Sequence, residues 1–541
     1  MTVLELFLTV GYMVALFCWD FVNTLGLRLS MWQARAGQMG TAQLPIMVAL
    51  ATKNNVIEFF TGVSHEKMSL MHRATSRVVL ISIWLHSAGI YWQAAHGVRE
   101  IWGATWKWMG TVATIAQTLI TILGFKCIRQ RFYEFFWITH VILVMIFLIS
   151  SYIHCAGLPP LLKAKHYVWP CFLIWGLDRI CRYTRYLILG NFLPPNKSPA
   201  TIEVISPDAY RITVRRRFPS FFPGSGWRAG QHMFLAFPTI GPLESHPFTI
   251  ASIAEPIPED SVKEGEKGGE RELMWIVRTR DGFTRRLRDK AQDKDGVLKV
   301  PIFMDGPYGA PPDITGFTTC VFVAGGSGVA YTMPRMREVI CEVAEGSACA
   351  RRVVFIWAIR HYSHIGWISS ELTKALASKP KDLDLSVWIY VTSQPAVEHG
   401  HSPTSTIKDS LPDSPISPTS PTSELKTAVP TLGKSTMTHG RFPSTYSTGD
   451  PESCDEKSLA AHSSSGEWEA QGVEIRFGRP DVHALLEETV TTSEGAVSVD
   501  ASGPESLVAA IRQALSSPFA GPMNVLRGCP SVQLNVEDFS M

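Results

Sequence analysis

Four histidines of this chain fall into two matched pairs. His72 and His86 lie in one apolar stretch and His140 and His154 in another, and each pair is 14 residues apart. In a helix, 14 residues is nearly four turns, so each pair projects from one face with roughly 21 Å between its members. A bilayer's hydrocarbon core is about 30 Å thick, so that separation puts one imidazole near each leaflet. Two such helices side by side offer two facing His–His couples stacked across a membrane. This is the geometry needed to hold two haem irons, each with imidazole on both axial faces, as stepping stones for electrons. A lone histidine in a membrane helix is often satisfied by a polar neighbour. Ionisable residues are nonetheless costly there and usually functional, and two pairs at one spacing, in segments separated by a third, point to ligation.

The elements that must position these residues follow from composition. The chain has 541 residues, 46% of them hydrophobic, and a mean hydropathy of +0.08. That average hides a split: residues 1–190 are apolar and Trp-rich, as membrane-interface belts tend to be, and the remainder reads as soluble. A net charge of +2 gives no footprint for nucleic acid. The ten cysteines are scattered, with no CxxC or zinc spacing, so neither a disulfide framework nor a structural metal is indicated. The first twenty residues, MTVLELFLTVGYMVALFCWD, lack Lys and Arg and read as a first membrane helix rather than a secretory signal. Further apolar segments fall near 38–60, 70–95, 108–125, 135–153 and 167–190. The second is the weakest, interrupted by Lys53, Asn54, Asn55 and Glu58.

Six crossings would leave both termini on one side. The basic connection FKCIRQRFYE and the exit through Arg179, Arg182 and Arg185 assign that side to the cytosol, although Lys163 and Lys165 dilute the bias. The third and fifth crossings then run parallel. His72 is expected to meet His140 near the cytosolic leaflet, and His86 to meet His154 near the outer one.

From about residue 195 the pattern turns to short β-rich runs such as TIEVIS and YRITVRRR, which suit an antiparallel β-barrel over 195–311. Within it, His246-Pro247-Phe248-Thr249 sets an imidazole, an aromatic ring and a hydroxyl on adjacent extended positions, able to meet phosphate, a flat ring and a ring nitrogen. Arg278, Gly282 and Thr284 follow, where a helix N-terminus with basic residues can receive a pyrophosphate. Next come Gly306-Pro-Tyr-Gly309 and the run VFVAGGSGVA, in which a buried strand enters a turn carrying Gly325, Gly326 and Gly328. That turn exposes backbone N–H groups and a positive helix end to phosphates. It opens a series of βα units over 315–541, read as a doubly wound sheet binding a dinucleotide at its strand C-termini. Ser/Thr/Pro-rich sequence at about 396–468 interrupts this domain. Its composition can bury no core, and it reads as a disordered insert.

With these residues assembled, the chain resembles the fungal ferric reductases, in the superfamily that includes the NADPH oxidases. GVSHEKMSLMHRATSRVVLISIWLH and RQRFYEFFWITHVILVMIFLISSYIHC resemble the two haem-bearing helices, HPFT the flavin motif, and GGSGVAYTMP, GRPD and SGPESL the nicotinamide-nucleotide motifs. The resemblance implies a multi-domain protein: a six-helix transmembrane haem bundle, then a ferredoxin-reductase-like pair of FAD barrel and NADPH domain. It implies a multi-pass plasma-membrane protein with both nucleotide domains cytosolic. NADPH would give hydride to FAD, and electrons would pass singly through two b-type haems to an extracellular Fe(III) chelate, with Cu(II) as an alternative acceptor. Coupling to an iron permease and oxidase system is implied as well. By motif, Phe248 would pack on the flavin, Thr249 would hydrogen-bond near its N5, and His246, Arg278 and Thr284 would serve the FAD phosphates. Gly325, Gly326 and Gly328 would receive the NADPH pyrophosphate, and Arg479 could pair its extra phosphate.

Two positions depart from the family pattern. Ser502-Gly-Pro stands where the family usually has Cys-Gly-Pro, and the chain ends Phe539-Ser-Met541 where many members end in an aromatic that covers the flavin. Serine is less polarizable than cysteine and methionine covers a ring less firmly, so slow hydride transfer is expected. Many fungal ferric reductases also carry a segment ahead of the first core helix, close to which this chain begins. Two other readings stay open: an NADPH oxidase making superoxide, and a non-catalytic haem-binding membrane partner.

Overall fold

A computed structural model of the chain describes residues 3–22, 29–61, 65–98, 100–159, 163–189, 198–218, 226–241, 244–255, 270–393, 468 and 472–537. Phe539, Met541 and, apart from Trp468, the 396–468 insert lie outside the described residues.

The helical half comprises α1 (Val3–Phe21), α2 (Leu29–Ala42), α3 (Leu44–Ala49), α4 (Val56–Thr61), α5 (His65–Ala95), α6 (Thr105–Leu123), α7 (Lys126–Arg131), α8 (Tyr133–Ala156) and α9 (Lys165–Leu189). Two stretches among the described residues are long and apolar enough to cross a membrane, Lys67–Ala95 in α5 and Phe135–Ala156 in α8. These are the helices that carry the four histidines.

The expected single helix over 38–60 is not formed. The chain leaves α3 at Leu50 and re-enters helix only at Val56. Asn55 donates through Nδ2 to the Ala49 carbonyl at 2.9 Å, and its side-chain oxygen accepts from the Ile57 N–H at 2.9 Å. Such local side-chain bonds compete with the helical ladder and end it. Helix α2 takes up the packing instead. Gln33, Arg35 and Gln38 lower its hydropathy, so its sequence gives little apolar signal. Inside the bundle, however, Gln33 is buried and donates to Gln93 at 3.1 Å.

Seven strands form two antiparallel sheets around one core. β1 (Ala200–Ser206), β2 (Ala209–Arg216), β5 (Arg271–Arg278) and β6 (Val297–Val300) run in the order β5-β2-β1-β6. β3 (His232–Ala236), β4 (His246–Thr249) and β7 (Phe303–Tyr308) run β4-β3-β7, and α10 (Phe283–Gln292) follows β5. Alternate residues point inward, as a half-buried strand requires, so Ile202, Ile212, Leu235 and Trp275 share the core with Leu287 of α10. Leu189, the last residue of α9, belongs to that same core, and buried Arg216 donates to its carbonyl at 2.7 Å. The helical half therefore ends inside the β domain.

The third part is a six-stranded, all-parallel sheet built from β8 (Thr319–Gly325), β9 (Arg352–Ile359), β10 (Asp384–Val391), β11 (Val473–Phe477), β12 (Val497–Ser502) and β13 (Val532–Glu537), in the order β11-β10-β9-β8-β12-β13. α11 (Val329–Ala344) and α12 (Ser369–Ala377) cover one face, and α13 (Val482–Thr491) and α14 (Glu505–Leu515) the other. Strand order reverses between β8 and β12. In an open parallel sheet that switch point, at the strand C-termini, is where a crevice for a ligand opens. Arg211 of β2 donates to the Trp367 carbonyl at 3.3 Å, and Glu338 of α11 accepts from the Ala229 N–H at 3.0 Å, seating this domain on the β domain.

Candidate functional site

One of the two expected histidine couples is seen face to face among the described residues. His86 and His154 face each other with ring centroids 6.2 Å apart and planes at 74°. Two imidazoles sharing one first-row metal at about 2 Å per bond have centroids roughly 6 Å apart. Each ring is fixed by its other nitrogen: His86 Nδ1 donates to the Gln33 carbonyl and His154 Nδ1 to the Trp106 carbonyl, both at 2.8 Å. A carbonyl can only accept, so both rings donate the Nδ1 proton. This is the arrangement that orients metal-binding histidines. His72 repeats it, with Nδ1 2.8 Å from the Met47 carbonyl. His140 lies within electrostatic range of His72, and its buried Nδ1 has no hydrogen-bond partner among the described residues.

The His86–His154 couple lines a cavity of about 1290 Å³, open mouth included, with Gly37, Tyr91, Glu100, Trp106, Lys107 and Gly110 among its walls. Two of those glycines are there for space. A β-carbon on Gly37 would lie 2.6 Å from His86 Nδ1, and one on Gly110 would lie 2.9 Å from the His154 ring. Nothing in an isolated helix sequence marks these glycines, because the ring each one makes room for comes from another helix. At the rim Lys107 pairs with Glu100 at 3.6 Å.

His246, Pro247, Phe248 and Thr249 are β4 itself, hydrogen-bonded to β3. Thr249 is buried opposite His232, while Phe248 stays half-buried at the core's margin. His246 stacks on Phe283 at 4.6 Å, which ties the motif to the first residue of α10. Gly282 caps that helix with φ +85° and open space where a side chain would be. The backbone donors there are thus approachable. The Thr284 hydroxyl, by contrast, is already engaged with the Arg280 N–H and carbonyl. Arg278 ends β5, and β5 lies against the Gly326–Gly328 turn. This contact brings the flavin-type and nucleotide-type motifs together. Gly306 packs on β3, its would-be β-carbon 3.0 Å from Met233.

At the sheet's switch point the three glycines divide their roles. Gly325 and Gly328 press on the β12 turn, where a β-carbon would come within 2.6 Å of Pro504 and 2.1 Å of the Ser502 carbonyl. Gly326 has φ +54° and open space where a side chain would be. Trp357 Nε1 pins this turn by donating to the Gly326 carbonyl at 3.0 Å. Ser502 is fully buried at the end of β12, and its hydroxyl has no partner among the described residues. Arg479 stands exposed just beyond β11. Below the site Arg335 of α11 meets Asp500 of β12 at 3.0 Å, both nearly fully buried. Burial opposes the Arg335 charge, but Asp500, Tyr331 and Glu338 hold its pKa above the usual value.

Three family models match the chain along its length. Residues 36–151 match a ferric reductase like transmembrane component, 196–312 an FAD-binding domain and 317–516 a ferric reductase NAD binding domain. The chain belongs to the ferric reductase family, whose members are oxidoreductases. Among its relatives, the "Probable cell surface ferric reductase kap2" of Aspergillus oryzae is 27% identical, the alignment covering 62% of this chain and 44% of the relative. "Ferric reductase transmembrane component 4" of Saccharomyces cerevisiae is 26% identical over 66% and 46%. "Ferric/cupric reductase transmembrane component 7" of the same yeast is 26% identical over 67% and 56%. The chain spans about half the length of the curated relatives it matches. Among solved structures, flavohemoglobin from Malassezia yamatoensis overlaps 95% of this chain and 99% of its own at 12% identity and a TM-score of 0.35. Ferredoxin-NADP+ reductase from Plasmodium falciparum overlaps 64% and 98% at 10% identity and a TM-score of 0.32.

Proposed function

We propose that this chain is a transmembrane ferric-chelate reductase of the plasma membrane, drawing on cytosolic NADPH and delivering electrons to Fe(III), or Cu(II), chelates outside. The observation that carries this reading is the His86–His154 couple, 6.2 Å apart with both Nδ1 atoms tied to carbonyls. We divide the chain at 1–190, 195–311 and 315–541 into haem, FAD and NADPH domains.

His86 with His154, and His72 with His140, would each hold a haem iron, and the two irons would supply one-electron carriers near the two leaflets. Phe248, Thr249, Arg278 and the open N-terminus of α10 at Gly282 would hold FAD, which supplies the exchange between hydride and single electrons. Gly326 would present its backbone to the nucleotide pyrophosphate, with Gly325 and Gly328 holding the turn and Arg479 placed for a further phosphate. Ser502 would line the nicotinamide approach. Trp357 keeps the turn closed on the sheet.

Expression in a strain without surface reductase tests this reading. Fe(III) reduction at the cell surface should appear together with two b-type haems per chain. Superoxide release in place of metal reduction would favour the oxidase reading, and neither activity would leave the non-catalytic one.

A further inference from the structure

The contact between the helical half and the β domain centres on one carboxylate. Asp305 of β7 is fully buried. Its oxygens meet Arg182 Nε at 2.9 Å and Arg185 Nη1 at 3.6 Å, both from the closing turns of α9. Tyr308 donates its hydroxyl to the same carboxylate at 2.6 Å, and burial with Asp305 beside it raises the Tyr308 pKa. Around this centre Tyr186 packs edge-on against Phe303 at 5.6 Å. Lys53, from the loop between α3 and α4, stands 2.9 Å above the Phe234 ring. Phe234 is the strand partner of Pro247 in the flavin-type motif, and Asp305 directly precedes Gly306.

A buried carboxylate shared between two guanidinium groups has few acceptable geometries. Slippage of one partner leaves an unpaired charge out of water, so such a cluster fixes register more than it adds attraction. α9 already ends in the β-domain core, and the Asp305 cluster removes the remaining freedom to rotate about that helix. The geometry points to Asp305 as a positioning residue: held by Arg182 and Arg185, it seats the β domain on the end of α9 in one orientation. It thereby sets the gap across which electrons leave the flavin domain for the membrane. The electron-transfer part rests on the reductase reading, whereas the seating does not.

The test uses the full-length, cofactor-loaded protein in nanodiscs. Asp305→Asn removes the charge but keeps an acceptor for Tyr308. Arg182→Met with Arg185→Met removes the partners from the membrane side without touching the β domain. Both variants should bleach flavin with NADPH within twofold of wild type and reduce haem at least tenfold more slowly. Both should exchange amide hydrogens at 50–55 and 303–308 at least tenfold faster. Combining all three substitutions should add nothing further. If Asp305→Asn loses its flavin while the arginine variant exchanges and reacts as wild type, the carboxylate merely supports the Gly306 turn and the inference is overturned. Unchanged exchange in the arginine variant overturns it as well. If wild-type protein never reduces haem, the reductase reading fails, and the exchange measurement alone still decides the seating.

Discussion

Gly110 and His154 are packed so closely that a β-carbon on the glycine would lie 2.9 Å from the imidazole. Gly37 bears the same relation to His86 at 2.6 Å. Each ligand candidate thus faces a helix that has given up its side chain at that level. Gly110→Val should push the His154 ring out of line, and Gly37→Ala should do the same to His86. Either variant is expected to lose about half the b-type haem of the wild type, counted by pyridine haemochrome in purified protein. Full haem content in both would mean that the rings do not need the space.

The two histidine couples should be separable. His72→Ala or His140→Ala should remove the haem nearer the β domain, and His86→Ala or His154→Ala the distal one. The distal variants should still bleach flavin with NADPH while surface Fe(III) reduction falls to background. A wild-type preparation with one haem per chain would contradict the pairing.

The Arg335–Asp500 pair ties α11 to β12, and Asn535 adds a donor to Asp500 at 2.7 Å. Asp500→Ala takes away the buried partner of Arg335 and leaves it Glu338 at 3.1 Å, which costs about 3 kcal/mol. Glu272→Ala, breaking the exposed pair with Arg215, should cost less than about 1 kcal/mol. Urea unfolding followed by tryptophan fluorescence checks the contrast, and equal effects would reject it.

Lys53 lies in a loop outside the helices, facing the β domain. Burial, with Arg182 adding to it, lowers its pKa to about 7, from an ordinary lysine value of about 10.4. Between those values the unfolded chain binds a proton that the folded chain has released, so folded stability rises with pH across that window, by at most about 1.4 kcal/mol per unit. Lys53→Met should remove that rise. Its Tm should exceed wild type near pH 7 and converge on it toward about pH 10.5. A difference independent of pH would show that Lys53 titrates normally.

Ser502 carries a buried hydroxyl without a partner among the described residues, at the sheet's switch point. Groups lining the nicotinamide approach act at near-attack distance, about 3–3.5 Å. Ser502→Cys together with Met541→Trp should therefore accelerate flavin reduction by NADPH in stopped flow and leave haem-to-acceptor transfer unchanged. An unaltered rate makes both departures neutral.

What was legible in the sequence depended on periodicity. The histidine pairs stood out because 14 residues is a helical repeat, and VFVAGGSGVA because a buried strand entering a glycine turn is a local pattern. Asp305 gave no such signal, since its partners Arg182 and Arg185 lie more than 100 residues earlier and become neighbours only after folding. The interrupted 38–60 segment departs from its expected single helix for the opposite reason. In sequence its polar residues look like flaws in a membrane helix, whereas Asn55 ends α3 and Asn54 binds the buried Asp178 carboxylate of α9 at 2.9 Å. Of the three glycines assigned to the nucleotide, the structure gives Gly325 and Gly328 a packing reason and leaves Gly326 open.

β10 and β11 pair in parallel from Val387↔Val473 to Val391↔Phe477, with the whole Ser/Thr/Pro-rich stretch between them in sequence. A parallel pair needs a return crossover of at least a dozen residues and sets no upper limit on its length. β11 is the outermost strand and β10 its neighbour, so the two strands this crossover joins are separated from the β8–β12 crevice by β9. A lineage could lengthen, shorten or phosphorylate the stretch without re-threading the sheet, so regulation could evolve there separately from catalysis.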